Sequence, residues 1–267
     1  METALPYEAD TTDTDSSSSG LAANPVTVWE WRVQPPLLAP GVPAHSVPVP
    51  AWLHSMQRFR RETLCRLGYL PTLAAACEST ADASPIDLYA YHILAYADEE
   101  LAGCIRVYPL AAGGPPCSTE ELLGAQRFAE VQRWIRRDRN LREPQVFEVG
   151  RWVAAPTCRA HGMVRGVGMF LAAAAAGILP ALARQCGYED WIAFSPACTA
   201  YRQDVLLEHA GLVSIPGVDS VRADSFNDTA RILYCYNLVM LRPRFQRIVR
   251  AMQQTLELDE MFPESTR

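Results

Sequence analysis

Lysine is absent from this chain of 267 residues: all 24 of its basic residues are arginine. That excludes mechanisms that need a lysine amine, among them Schiff-base chemistry, a pyridoxal phosphate anchor and the P-loop lysine. Charge is modest, at 20% of residues, and the formal net charge is −6. Residues 1–28 hold Glu2, Glu8, Asp10, Asp13 and Asp15 and no arginine. The remainder is therefore nearly neutral, about −1, which argues against a nucleic-acid binder. Histidine is scarce, five in all, and shows no metal-ligand spacing, so no metal is expected. The eight cysteines, at 65, 77, 104, 117, 158, 186, 198 and 235, form no C-x-x-C pair. The amino terminus is acidic and lacks an apolar core, so no secretory signal is read there. Free thiols in a reducing cytoplasm are the expectation.

Long apolar runs are limited to one, Val167–Ala183, which contains five successive alanines and Pro180. Its 17 residues stand at the low edge for a membrane span. Arg165 and Arg184 close it at both ends. We expect a buried helix packed on a sheet and no integral membrane span.

What is present is an ordinary globular composition, 49% hydrophobic. Residues 1–28 (with TTDTDSSSSG) read as a disordered acidic tail. Residues 29–50 read as an extended strap, with six prolines between 35 and 50 and with Trp29 and Trp31 as anchors. A single domain is expected over 51–267. Trp52, Met56, Phe59, Leu64 and Leu67 predict a helix over 51–67. Asp87–Ala97 and Leu101–Tyr108 predict an antiparallel hairpin. Ser118 and Glu121 form a capping box for a helix running to about Asp138. Gln145–Ala154 predicts a strand and Met163–Gln185 the Ala-rich helix. A strand centred on Trp191–Phe194, a helix over Thr199–Ala210, a strand over Ile232–Leu241 and a helix after Pro243 complete the order. Strands and helices mix without the alternation of a doubly wound fold, so the class is α+β, a mixed sheet covered by helices.

The chemistry concentrates in Phe147–Gly168, FEVGRWVAAPTCRAHGMVRGVG. A strand ends near Val153, and a loop with Arg159, Gly162, Arg165, Gly166 and Gly168 leads into the long helix. Glycines admit close backbone approach, and a helix N-terminus with arginines attracts anions. The pattern fits an anion site for a phosphorylated cofactor arm. It fits equally a Gly-rich turn whose arginines merely cover the helix end.

The arrangement V-x-x-x-x-x-R-x-x-G followed by RGVG resembles the acyl-donor motif of the GNAT acyltransferase superfamily. Glu148-Val-Gly-Arg151 resembles the E-x-x-R strand of autoinducer synthases and N-acyl amino acid synthases. The hairpin, Asp87-Leu-Tyr-Ala-Tyr-His92 and Leu101-Ala-Gly-Cys-Ile-Arg106-Val-Tyr-Pro109, is similar to that of the same bacterial group. The resemblance covers about residues 55–240. It implies a GNAT-like mixed, mostly antiparallel sheet flanked by helices. It implies an acyltransferase that moves a long-chain acyl group from an acyl carrier protein or CoA thioester to the amine of an amino acid or similar acceptor. Acyl-homoserine lactone synthase and a non-catalytic acyl-donor-binding protein are the alternatives.

On that resemblance, Trp152, Val153, Arg159, Gly162, Arg165, Gly166 and Gly168 bind the donor, with backbone amides near Trp152 and Val153 holding the thioester oxygen. Glu148 is the candidate base, with Arg151 beside it, since an amine must lose its proton before it attacks. The alternative for Glu148 is a structural ion pair with Arg151. Period-2 geometry puts 148 and 151 on opposite faces, so a bulge is needed for both to face one cleft. Asp87, His92 and Arg106 are candidate acceptor-binding residues. Arg106 and Arg151 either pair with Asp87 and Glu148 or bind an acceptor carboxylate. His92 also reads as an ordinary core histidine. Arg133, Arg136 and Arg137 share a helical face that reads as a solvated surface or as a dock for an acidic acyl carrier protein.

Overall fold

The structure is a computed structural model, and it describes residues 28–68, 82–155, 164–200, 202–223 and 228–262. Its elements are β1 (Trp29–Gln34), α1 (Ala51–Arg66), β2 (Tyr91–Ala97), β3 (Glu100–Pro109), α2 (Ser118–Leu123), α3 (Ala125–Asp138), β4 (Gln145–Ala154) and α4 (Val164–Gln185). There follow β5 (Trp191–Cys198), α5 (Gln203–Ala210), β6 (Val213–Ser214), β7 (Val221–Ala223), β8 (Asp228–Tyr236), α6 (Pro243–Thr255) and α7 (Leu258–Met261). The strands form one sheet in the order β1-β2-β3-β4-β5-β8-β6, with β7 also paired to β8. Every pairing is antiparallel except β4 with β5. This is the mixed sheet covered by helices that the residue pattern predicts, mostly antiparallel as the resemblance implies.

Side-chain alternation gives the sheet two buried faces. Ile93, Ile105, Val107 and Phe147 point to one, where α4 covers them and α6 packs on α4. Leu94, Cys104, Tyr108 and Phe194 point to the other, under Leu53 and Met56 of α1 and Phe128 and Ile135 of α3. The alanines of α4 let it lie close on the strands. At Gly103 an added Cβ would sit 2.9 Å from Leu171 Cδ1, so β3 and α4 could not approach as they do with a larger residue there. The apolar run of α4 is mostly buried inside the fold, as expected for a core helix.

Several boundaries differ from expectation. Trp29–Gln34, within the expected strap, pairs with β2 as the edge strand. Trp31 packs edge-on to Phe170 of α4. Asp87 is not on the hairpin strand. It lies in a 3-10 turn, Pro85–Leu88, whose Ser84 and Asp87 side chains cap it reciprocally and whose proline starts it. The helix expected from Ser118 to Asp138 is two helices, broken at Gly124 with φ +79°. Its cap is Cys117, whose sulfur accepts the Glu120 N–H. The last strand ends at Tyr236, because Asn237 turns with φ +44°.

Two irregularities in the sheet create the site. Parallel pairing of β4 with β5 covers only Gln145–Glu148 against Trp191–Phe194. Beyond it β4 stays with β3 as far as Ala154, while β5 stays with β8 as far as Cys198. The two strands thus separate into a V. The second irregularity is a bulge: Arg106 pairs with Gly150 and Cys104 with Val153, so Ile105 faces both Arg151 and Trp152.

Candidate functional site

The bulge supplies the change of face that lets Glu148 and Arg151 share a cleft, and its left-handed residue is Arg151 (φ +52°), next to Gly150. A non-glycine residue held there is strained by roughly 1–2 kcal/mol, which its surroundings must offset. The extra residue inverts the alternation. Glu148, Gly150, Arg151 and Val153 consequently line one cavity of about 380 Å³ at the mouth of the V. Ser195, Pro196 and Cys198 of β5 line the opposite wall. Trp152 turns toward α4, where Gly168 makes room for it: an added Cβ would lie 2.8 Å from the indole.

Glu148 is buried on this wall, 1% exposed. Its Oε2 accepts the Thr119 N–H at 2.7 Å and the Thr119 hydroxyl at 2.8 Å. Its Oε1 accepts from Arg106 Nη2 at 3.3 Å. Oε1 is also the atom nearest the space over Gly150, 3.9 Å from where a Cβ would stand there. One carboxylate oxygen is therefore fully engaged, and the other faces the cavity.

Behind Glu148 lies a chain of buried charge. Arg106 donates to Asp87 Oδ1 at 3.1 Å, and Arg60 donates to both oxygens of Asp87 at 3.1 and 2.6 Å. Gln57 and the Ser84 N–H add bonds to Asp87 Oδ2. Arg60 also donates to the Asp82 carbonyl, and its Nε stands 3.1 Å from Asp82 Oδ2. Asp82 in turn accepts from Arg151 Nη1 at 3.0 and 3.2 Å. Three arginines thus meet three carboxylates, which is how buried charges are tolerated. Burial pushes the Asp87 carboxyl up, but the charge and hydrogen bonds of Arg60, then Arg106, outweigh it and hold it well below the usual carboxylate range. Burial likewise opposes the Arg60 charge, and the attraction of Asp87 overcomes it and raises that guanidinium.

His92 takes the histidine role of lower ambition. Its Nε2 bonds the Asp87 carbonyl at 2.8 Å, so that nitrogen carries the proton, and its ring packs edge-on to Trp52. Burial draws it down to about 4, so it is neutral near pH 7. Its Nδ1 has no hydrogen-bond partner among the described residues.

The residues expected to act together are therefore sorted by depth. Glu148, Arg151, Trp152 and Val153 line the cavity. Asp87, His92 and Arg106 are gathered in one network, but all three are buried beneath the cavity and none lines it. Arg159 and Gly162 lie outside the described residues, and Arg165 and Gly166 begin α4 with side chains outside them. Sequence reasoning missed Arg60, Asp82 and Thr119. Arg60 had a visible signal, since it falls on the α1 face of Leu53, Met56 and Leu64, where an unpartnered charge would be costly. Ser84 and Asp87 carried a second one, the capping pattern three residues apart. Thr119 had none, because only the fold brings α2 to β4.

No protein-family model matches the chain, and no curated protein does. Among solved structures it is similar to FeeM, an N-acyl amino acid synthase from uncultured soil microbes. The identity is 14% over 88% of this chain and 99% of that one, with a TM-score of 0.47. It is similar to the acyl-homoserine lactone synthase LasI at 14% identity, over 84% and 95% of the two chains, with a TM-score of 0.47. An acyl-CoA N-acyltransferase from Pseudomonas aeruginosa is similar at 14% identity, over 79% and 99%, with a TM-score of 0.42.

Proposed function

We propose that this protein is an N-acyltransferase that takes an acyl group from a thioester donor to the amine of a small acceptor such as an amino acid. The observation that carries the reading is the V between β4 and β5. It opens the edge of β4 from Val149 onward and places a buried carboxylate, Glu148, on the wall of the resulting cavity. An extended donor arm can lie along such an edge and pair with its backbone, as a strand would.

In this reading the acceptor amine attacks the thioester carbonyl carbon, the C–N bond forms, and the carbonyl oxygen becomes an oxyanion. Backbone N–H groups near Trp152 and Val153 stabilise it. The C–S bond then breaks and the sulfur leaves as a thiolate, which takes a proton from the solvent or from Glu148 once that residue holds the amine proton. The proton lost by the amine passes to Glu148 Oε1, directly or through one water. Thr119 and Arg106 hold Glu148 in place, and Asp87 with Arg60 holds Arg106. Asp87 and Arg106 therefore position the base and do not bind the acceptor. Arg159, Gly162, Arg165 and Gly166 are assigned to the phosphate end of the donor.

A narrow apolar crevice, about 40 Å³, lies behind the V against Ala172, Ala176, Leu179 and Phe245. Trp152, Ser195 and Leu207 line both spaces, which gives an acyl chain an apolar route past β4. As it stands the crevice has room for little more than one water (~30 Å³), so a long chain must displace its lining. Arg133 and Arg136 stand at the other end of β4, beside Val146 and Ile192. That is about 20 Å of strand from Trp152, so a carrier protein docked on the Arg133, Arg136 and Arg137 face would meet the closed end of the V.

The test is direct. The full chain is incubated with acyl-CoA and acyl-carrier thioesters of graded chain length and with a panel of amino acids. Thiol release is followed together with the mass of any N-acyl product. Release that depends on the amine supports the reading. A donor that binds but yields no amine-dependent release overturns it in favour of a binding protein.

A further inference from the structure

One groove lies well away from the V. It runs between α3 and the beginnings of β4 and β5 and encloses about 390 Å³. Its floor is apolar, from Pro144, Val146 and the partly exposed Tyr188 over the buried Ile192, and Arg133 and Arg136 stand along its rim with one carboxylate, Glu143. Arg137 extends the same charged face. Arg133 and Arg137 have no carboxylate within 4 Å among the described residues, and Arg136 reaches only the exposed Glu143, at 3.6 Å. An apolar floor under a basic rim calls for an acidic segment that also carries an aromatic or aliphatic side chain.

The chain contains such a segment. Residues 1–15 read METALPYEADTTDTD, with Leu5, Pro6 and Tyr7 beside Glu2, Glu8, Asp10, Asp13 and Asp15 and no basic residue. It is the most acidic stretch of the sequence, and the α3 face is among the most basic. Length is no obstacle. Trp29 pairs with Ala97 at the Ala154 end of the sheet, so the groove is roughly 30–35 Å from Val28, counting strand spacings and residue rises. The residues between Tyr7 and Val28 can span about 70 Å when extended.

We propose that the acidic amino-terminal segment of the chain docks in this groove, with Tyr7 on the apolar floor and its carboxylates on Arg133, Arg136 and Arg137. The groove is thereby occupied by the protein itself. The proposal is independent of the reading of the V as an acyl-transfer site.

The full chain is made with Tyr7 replaced by the photocrosslinker benzoylphenylalanine, irradiated and mapped by mass spectrometry. The expected product is a monomer-mass crosslink from position 7 to residues 129–146 or 188–192. Its yield should not depend on protein concentration, and should fall several-fold between low and high salt. Changing Arg133, Arg136 and Arg137 to Glu should abolish it. Changing Glu8, Asp10, Asp13 and Asp15 to Arg in that same variant should restore it, which shows that the altered α3 face is still folded. No crosslink, a crosslink elsewhere, a dimer-mass product, or a yield that ignores the charge reversals overturns the proposal.

Discussion

Thr119 donates twice to one oxygen of Glu148, through its backbone N–H at 2.7 Å and its hydroxyl at 2.8 Å. The start of α2 thereby locks the carboxylate of β4 in one orientation. Oε1 is left for Arg106 and for the cavity. Two consequences for catalysis, one for stability in acid and one for packing can be measured.

Glu148→Gln keeps the shape and, with its one oxygen toward Thr119, the two bonds from Thr119, but it removes the proton acceptor and turns an amide NH2 toward Arg106. Amine-dependent thiol release should fall by about 10²–10⁴-fold. Raising the pH should recover part of the loss, because more of the amine is then neutral. The melting temperature should fall only modestly, since Arg106 loses Glu148 but retains Asp87 as its anionic partner. A destabilised variant with full activity per folded molecule would remove Glu148 from the reaction.

Thr119→Val preserves volume and the backbone N–H but deletes the hydroxyl. A hydrogen bond to a charged group is worth about 1.5–3 kcal/mol. Activity should drop by roughly tenfold or more through loss of carboxylate orientation, with donor affinity unchanged. Titrating the donor against the folded variant and measuring turnover separates the two. A changed donor affinity with normal turnover would place Thr119 in the donor site and refute its role as a positioning residue.

Acid should weaken the fold in two stages. His92 is drawn down from 6.5 to about 4, so the unfolded chain takes up a proton first and stability falls between those values. Asp87 is held well below its ordinary 3.8, so its contribution is complete above that value and is lost as the pH falls further. Thermal melts from pH 8 to 2 should show both slopes. His92→Gln should flatten the first. Asp87→Asn should flatten the second, at a cost of about 3–5 kcal/mol near pH 7 because Arg60 and Arg106 lose their shared partner. If the Asn variant melts like the parent at pH 7, the network does not hold the site.

Gly168→Ala tests the contact between α4 and the V. The new methyl would lie 2.8 Å from the Trp152 ring. The ring must move, at a cost of about 1–3 kcal/mol for overpacking. Because Trp152 lines both the cavity and the crevice, donor binding should weaken as well. Unchanged melting and unchanged donor titration would show that Trp152 gives way freely.

The candidate residues around Glu148 were legible because their chemistry is local. A carboxylate and an arginine three residues apart, followed by a glycine- and arginine-rich loop and a long apolar helix, form an unusual pattern in one stretch of chain. Period-2 geometry required a bulge only if Glu148 and Arg151 were to face one cleft. It did not say which residue would turn: Arg151 takes the left-handed conformation beside a glycine that could have done so at lower cost, held there by Asp82. The edge strand Trp29–Gln34 was hidden by the prolines that follow it. A two-tryptophan segment declares itself a strand only when β2 supplies the backbone partners.

By itself the sequence determined the elements whose signals lie within a few residues: the Ala-rich core helix, the hairpin, the strand through Glu148, and the exclusion of lysine chemistry. Tertiary structure decided which charges meet. In the sequence Arg151 is the nearest arginine to Glu148, yet the salt bridge of Glu148 is with Arg106, Arg151 reaches Asp82, and Arg60 comes from a helix far up the chain to hold Asp87. The physical reason is that a buried charge must find an opposite charge nearby in space. The sequence states which charges need partners, and only the folding of the sheet and its helices brings those partners within 3 to 4 Å.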